Sequence, residues 1–297
     1  DFLGIPLKYI HSRTKENAEL QAKKYGAIGT DNLSVILNDP EVVAVFVCSH
    51  PKTHFGLSKE VLKAGKQLFV EKPPCFDVEE LVGLMEISQN AIVQVGLQKR
   101  YAHVYSLLKK RLKKPQHYSL RFCTGGYPEG DEWLDLFIHP IDLVNHLFGE
   151  VIRSEITTTS NHKTHLLTLE HSNGTKGHLE LSTDYTWSSP IEELRVSDAN
   201  GNYFSRCINH LEYIKRSQAV LGIPLEKVVK KNVQKEILID NNGFIPIAEL
   251  NSLAVQGYLD EIKSFVNSVE NHSKASLTSL NDLKLTFDLL KTIKSSL

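Results

Sequence analysis

Lys72 follows an apolar run and precedes two prolines in Val70-Glu71-Lys72-Pro73-Pro74. An amine held by stiffened backbone at the end of a strand can hydrogen-bond a substrate hydroxyl and take its proton. Asp135 and His139 stand four residues apart, which on a helix places them on one face. A carboxylate one turn from an imidazole can orient the ring for proton transfer. Lys72 and His139 are therefore the candidate proton-transfer groups, with Asp135 as the orienting carboxylate. The bland alternatives are an exposed loop lysine and acidic residues favoured by a helix dipole. On spacing alone, Asp135, His139, Asp142 and His146 could also hold a metal. Nothing else in the sequence supports one, and none is expected.

The elements around these residues alternate. Leu7–Ile10 reads as a short strand, Lys15–Tyr25 as a helix, and Asp31 starts another short helix. Val42–Cys48 is a continuous apolar, β-branched run, as expected of a strand buried on both faces. Phe55–Ala64 reads as a helix, Gln67–Val70 as a strand, Val78–Gln89 as a helix and Ala91–Val95 as a strand. Strands alternating with helices predict a parallel sheet, whose ligands sit at the carboxyl ends of the strands. Ser49–His54, Glu71–Pro73 and Gln98–Arg100 all fall there.

The pattern changes near residue 115. His117–Phe122 alternates, Trp133–Phe148 reads as one apolar helix, and alternating strands follow at 152–159, 165–171, 177–182, 192–196 and 236–239. Residues 252–297 read as two closing helices with a loop near His272–Ser276. The expected fold is α/β. A Rossmann-like parallel sheet domain occupies 1–115, and an α/β domain with a large, mostly antiparallel sheet occupies 116–297.

A length of 297 residues suits two domains. The net charge of −1 gives no basic stripe for nucleic acid and no membrane-surface signal. The short clusters at Lys109-Lys110-Arg111 and Lys230-Lys231 read as solvated faces. The four cysteines (Cys48, Cys75, Cys123, Cys207) lack C-x-x-C spacing, so inert thiols in a reducing cytoplasm are expected. No apolar run is long enough to span a membrane.

From Glu41 to Pro73 the chain resembles the glucose-fructose oxidoreductase, inositol dehydrogenase and MocA family. The resemblance rests on the buried strand, Ser49-His50-Pro51-Lys52-Thr53-His54, Ala64-Gly65-Lys66 and the Glu-Lys-Pro run. Val95-Gly96-Leu97-Gln98-Lys99-Arg100-Tyr101 is similar to the family's next motif. Asp135–Asp142 is similar to its Asp-x-x-x-His-x-x-Asp helix, and 258–297 to its closing helices. The nearest branch is the MviM type. Two features depart from the family. The Gly-x-Gly-x-x-Gly turn is absent, and a strand and turn upstream of Asp1 are expected to hold it. The family's triple glycine is replaced by Gly125-Gly126-Tyr127-Pro128-Glu129-Gly130.

The resemblance implies hydride transfer between a nicotinamide cofactor and a hydroxyl-bearing carbon of a sugar, polyol or related small molecule. Lys72, Asp135 and His139 then surround the reacting carbon. Ser49, Pro51, His54, Glu71, Lys72, Gln98 and Arg100 are the expected cofactor contacts, with a turn-capping role and no ligand contact as the alternative for His54, and with Gln98, Lys99 and Arg100 holding either the nicotinamide or the substrate. At the end of what would be the second strand, the first lying upstream, stand Ser12 and Arg13 with no acidic residue. That favours NADP over NAD, because a guanidinium can hold a 2′-phosphate. A homodimer or homotetramer built on the open sheet face is expected. The competing reading is a non-catalytic nucleotide-binding sensor on the same fold.

Overall fold

The computed structural model of the protein describes residues 3–126, 130–229, 234–241, 252–273 and 277–297. Tyr127, Pro128 and Glu129, the Lys230-Lys231 cluster and residues 274–276 of the expected last loop lie outside the described residues. The chain divides into two compact units: Asp1–Gly96 with Ile262–Asn281, and Leu97–Glu261 with Asp282–Leu297. The division expected at residue 115 thus differs from the one observed. A change of periodicity marks a change of element type, whereas a unit is defined by what packs together.

In the first unit, β1 (Tyr9–His11), α1 (Lys15–Tyr25) and β2 (Ile28–Thr30) form a crossover, followed by α2 (Leu33–Leu37). Then come β3 (Ala44–Val47), α3 (Pro51–Lys63), β4 (Gln67–Glu71), α4 (Val78–Ile87) and β5 (Val93–Gly96). β1 pairs with β2, and β3-β4-β5 form a sheet, every pairing parallel. The helices start where a side chain accepts an otherwise unpaired amide: Thr14, Asn32, His50 and Asp77. Central β4 carries Leu68, Phe69 and Val70 fully buried, so its apolar run is covered on both faces. Phe69 packs with Ile92 and Phe265. The Phe46 ring completes the cluster, 5.1 Å from Phe69 and 5.2 Å from Phe265. The Val95 amide donates to the Thr278 carbonyl at 2.9 Å. The returning segment therefore supplies both apolar surface and a backbone acceptor.

The second unit starts with a 3-10 turn at Gln98–Arg100 and α5 (His103–Arg111). Its strands are β6 (Pro115–Cys123), β7 (Val151–Thr158), β8 (Thr164–His171), β9 (Lys176–Ser182), β10 (Ile191–Asp198), β11 (Gly201–Arg206) and β12 (His210–Lys215). A short hairpin, β13 (Ala219–Val220) and β14 (Ile223–Pro224), precedes β15 (Lys235–Asp240). The eight-stranded sheet runs β15-β12-β11-β10-β6-β9-β8-β7. All pairings are antiparallel except β6 with β9. β8 shows the two-residue period clearly: His165, Leu167, Leu169 and His171 are buried while Leu166 and Thr168 are exposed. α6 (Ile138–Phe148) lies on the buried face, where Phe148 stacks on Tyr118 with centroids 4.1 Å apart. The open face is a mosaic of ion pairs such as Arg121–Glu180 and Arg206–Glu193, with Ile214 and Ile237 among them. α7 (Ser252–Val255), α8 (Tyr258–Glu270) and α9 (Leu280–Lys294) close the chain. Among the described residues no helix is long and apolar enough to cross a membrane.

Candidate active site

In the first unit the carboxyl ends of β3 and β4 carry most of the expected site. Ser49 is exposed and its hydroxyl lies 2.7 Å from that of Thr53. Pro51 is the first residue of α3, where a missing N–H costs nothing. His54 is 1% exposed. Its Nδ1 lies 2.8 Å from the Pro73 carbonyl and its Nε2 2.8 Å from the Ser49 carbonyl. A neutral imidazole has one N–H and donates to one of these at a time, whereas the protonated ring donates to both. Either way the ring fastens the loop after β3 to the loop after β4. Of the two expectations for His54, capping the turn or lining the nicotinamide site, the enclosed ring with its bonds to two loop carbonyls suits a bracing role at the turn.

Glu71 ends β4 with its carboxylate over Gly96, the last residue of β5. A Cβ on Gly96 would lie 2.8 Å from Glu71 Oε2, so the absence of a side chain there makes room for the carboxylate. Burial pushes the Glu71 carboxyl up, opposed by the Lys72 amide, the Lys72 charge and His54. The Lys72 amide donates to Glu71 Oε2 at 3.3 Å, and the Lys72–Pro73 peptide is cis. Lys72 is half-buried. Ser12 is half-buried and Arg13 exposed on the turn between β1 and α1, where the Ser12 amide donates to Thr30 O.

The second unit changes the reading of Gln98–Arg100. All three side chains are buried. Arg100 donates from Nε and Nη2 to the two oxygens of Asp142, at 2.8 and 2.6 Å. Asp142 also accepts from Thr286. This two-pronged pair fixes the 3-10 turn to α6. Lys99 pairs with Glu192 at 2.6 Å, and the Gln98 amide donates to the Tyr258 hydroxyl at 3.1 Å. A long polar side chain after a strand suits either a ligand or a buried carboxylate, and Asp142 is 42 residues away in sequence.

The helix expected from Trp133 to Phe148 is divided. A π-helical turn at Trp133–Phe137 leads into α6. Pro140 accounts for the break, since it has no N–H for Leu136 and its ring crowds that carbonyl. Asp135 and His139 flank this junction, both half-buried, so the junction rather than a regular four-residue ladder sets their relation. The Asp135 carboxylate folds back over Gly130, where a Cβ would collide with it. Lys294 pairs with Asp131, whose Oδ1 accepts the Trp133 amide.

Two groups here escaped the sequence reading. His165 is 3% exposed, with Nε2 3.1 Å from Glu132 Oε1 and Nδ1 3.0 Å from Thr158 Oγ1. Glu132 Oε2 also accepts from Thr183 at 3.2 Å. Trp187 lies against Gly125, and its indole N–H donates to Gly126 O at 3.0 Å. Buried position in an alternating strand was the available signal for His165; for Trp187 it was an aromatic residue in a polar loop. Among the described residues no group of three or more His, Cys, Asp or Glu is placed to hold a metal ion.

Comparison with known proteins gives three findings. The family described as an oxidoreductase family with an NAD-binding Rossmann fold matches residues 5–98. Scyllo-inositol 2-dehydrogenase (NAD(+)) of Bacillus subtilis (strain 168) is 28% identical over 174 residues, covering 54% of this chain and 50% of that protein. The chain thus spans about half the length of the curated relatives it matches. Among solved structures, the MviM dehydrogenase from Clostridium difficile superposes with a TM-score of 0.79 over 99% of this chain and 92% of that one, at 18% identity. UDP-N-acetylglucosamine 3-dehydrogenase GnnA from Acidithiobacillus ferrooxidans superposes with a TM-score of 0.79 over 98% and 90%, at 20% identity. At these identities the structures show the fold.

Proposed function

We propose that this chain, which resembles the glucose-fructose oxidoreductase, inositol dehydrogenase and MocA family and matches its NAD-binding Rossmann model over residues 5–98, moves a hydride between a nicotinamide cofactor and a hydroxyl-bearing carbon of a sugar or polyol. The observation that carries this reading is the bracing of Lys72. His54 ties the Ser49 and Pro73 carbonyls together, and Lys72 sits beside that tie at the carboxyl end of a parallel strand. Parallel sheets use that end for ligands.

The residues present suit a dinucleotide in part. Exposed Arg13 and half-buried Ser12 follow β1, where a ribose and its 2′-substituent are held. Ser49 and the start of α3 offer a hydroxyl and a helix N-terminus. A guanidinium without a competing carboxylate at the turn after β1 favours NADP. Bound nicotinamide supplies the hydride acceptor or donor.

The chain's own groups handle the proton. In the oxidising direction the Lys72 amine accepts the substrate hydroxyl proton as the carbonyl forms, with His139 as the second candidate proton-transfer group. Asp135 orients His139. In the reducing direction the same proton returns to the oxygen. Copies of the chain associate as a dimer or tetramer through the open sheet face, where Ile214 and Ile237 interrupt the ion pairs.

Initial rates of reduced-nicotinamide formation against inositols and aldoses test the reading. Lys72→Met is expected to lower kcat by about 100-fold to 10,000-fold while cofactor binding persists. Cofactor binding with no turnover on any polyol or sugar would replace this reading with a nucleotide-binding sensor.

A further inference from the structure

Leu221 is 97% exposed, more than any other large apolar side chain among the described residues. It sits at the tip of the β13–β14 hairpin, where Ala219 pairs with Pro224 and Val220 with Ile223. Val220 and Ile223 are more than half exposed as well. The hairpin forms a sheet of its own, separate from the eight strands. Its base is fastened. The Arg216 amide donates to Asn200 O at 2.8 Å, the Arg216 guanidinium to Asp198 O at 3.3 Å, and the Leu225 amide to Gln218 O at 2.9 Å. The apolar tip thus stands on bonded backbone.

The turn itself does not call for a leucine. Leu221 and Gly222 have φ of 50° and 78°. A two-residue hairpin turn with both central residues left-handed favours Asn, Asp or Gly at the first. Leu221 offers no such turn chemistry, and at its exposure it packs against nothing in the fold. Charge surrounds the tip. Residues 215–231 carry five cationic side chains, Lys215, Arg216, Lys227, Lys230 and Lys231, against one acidic, Glu226, in a chain of net charge −1. Lys215 and Arg216 on one side of the hairpin and Lys227 on the other are exposed. Lys230 and Lys231 lie outside the described residues. The balance of the whole chain conceals this local excess.

We propose that the β13–β14 hairpin docks the protein on an anionic bilayer surface. Val220, Leu221 and Ile223 enter the acyl boundary, and the cations on either side face lipid phosphates and carboxylates. An apolar tip with basic flanks matches both layers of such a surface. A second copy of the chain suits the tip less well. An isologous contact would set the two basic flanks against each other. Three apolar side chains also offer far less than the roughly 1,200 Å² that a stable interface buries. A bilayer needs no matching pocket, because lipid yields around the inserted side chains. The inference departs from the expectation drawn from net charge, which gave no membrane-surface signal. It goes beyond the hydride-transfer reading, since vesicle binding requires neither cofactor nor turnover.

Flotation of the full chain with lipid vesicles tests it. Vesicles of phosphatidylcholine with about one-third phosphatidylserine are expected to carry the protein saturably, and phosphatidylcholine alone about tenfold less. Raising the salt from about 0.1 to about 0.5 M releases most of it. Leu221→Asp lowers the partition coefficient about tenfold or more. Lys227→Glu lowers it about fivefold to thirtyfold. Both side chains are exposed, so the circular dichroism spectra of the variants match that of the parent. Leu20→Asp, on the exposed side of α1, leaves the partition unchanged. Absence of binding to the phosphatidylserine vesicles overturns the proposal, as does binding that Leu221→Asp leaves unaltered, which is adsorption by charge alone. Self-association without vesicles that Leu221→Asp abolishes would seat a second copy on the tip and overturns it too. Vesicle binding that depends on Leu221, without nicotinamide turnover, keeps the docking surface and removes the hydride-transfer reading. Turnover without vesicle binding does the reverse.

Discussion

Arg13 is the residue on which cofactor choice turns in the proposed reading. It is exposed at the end of β1, with its guanidinium available to an incoming phosphate. Arg13→Ala is expected to weaken NADPH binding about tenfold to a hundredfold, as loss of a charge-assisted hydrogen bond does. NADH binding should change little, and titrations of cofactor fluorescence with both nucleotides check this; equal losses would exclude a 2′-phosphate contact. The positions of Arg13 and Lys72 at strand ends were legible, because local sequence is enough to find a strand end. The position of Arg100 after β5 was legible in the same way, but its pairing was not. Its partner Asp142 is set by tertiary packing, which no neighbouring residue announces. His54 lies between these cases. Its place at a strand-to-helix turn was readable, but its enclosure between two carbonyls was not.

At the scale of elements, the link between the 3-10 turn and α6 is the most consequential polar contact of the second unit. Asp142 is 1% exposed and Arg100 5%. Asp142→Ala leaves a guanidinium buried without its carboxylate and is expected to cost about 3–5 kcal/mol in urea unfolding. One turn further along α6, burial first, and then Arg100 and Lys109, push the His146 imidazole down to about 4. The end of a helix favours a cation, but here burial and the two positive neighbours outweigh it. The unfolded ring takes its proton near the ordinary value of 6.5, so the unfolded state gains protons first as pH falls. Stability is therefore undiminished above about 6.5 and declines toward pH 4, by up to about 3 kcal/mol. His146→Gln should flatten that part of a stability-pH profile. The alternating strands were readable because one face of the sheet is buried and the other open. The π-helical turn was not, since an apolar helix of uniform period looks the same with or without one extra residue in a turn. Pro140 was the sole local clue.

For the whole chain, the two-part organisation was legible but its boundary was not. Fold class follows from repeated short-range patterns. The assignment of Ile262–Asn281 to the first unit depends on Phe265 reaching Phe46 and Phe69, about 200 residues distant. A fragment comprising residues 1–96 is therefore expected to lack a cooperative thermal transition by circular dichroism. Its Phe46, Phe69 and Ile92 lose their cover, and the Val95 amide loses the Thr278 carbonyl. A two-state transition equal to that of the full chain would show the returning segment to be dispensable. The same arrangement has a meaning during synthesis. The roughly 185 residues between Gly96 and Asn281 take about 10–40 s to translate at about 5–20 residues per second. Through that interval the nascent first unit presents an unclosed aromatic cluster and an unclaimed backbone amide. The part made first is completed almost last, which makes the emerging chain a customer for whatever shields apolar surface at the ribosome.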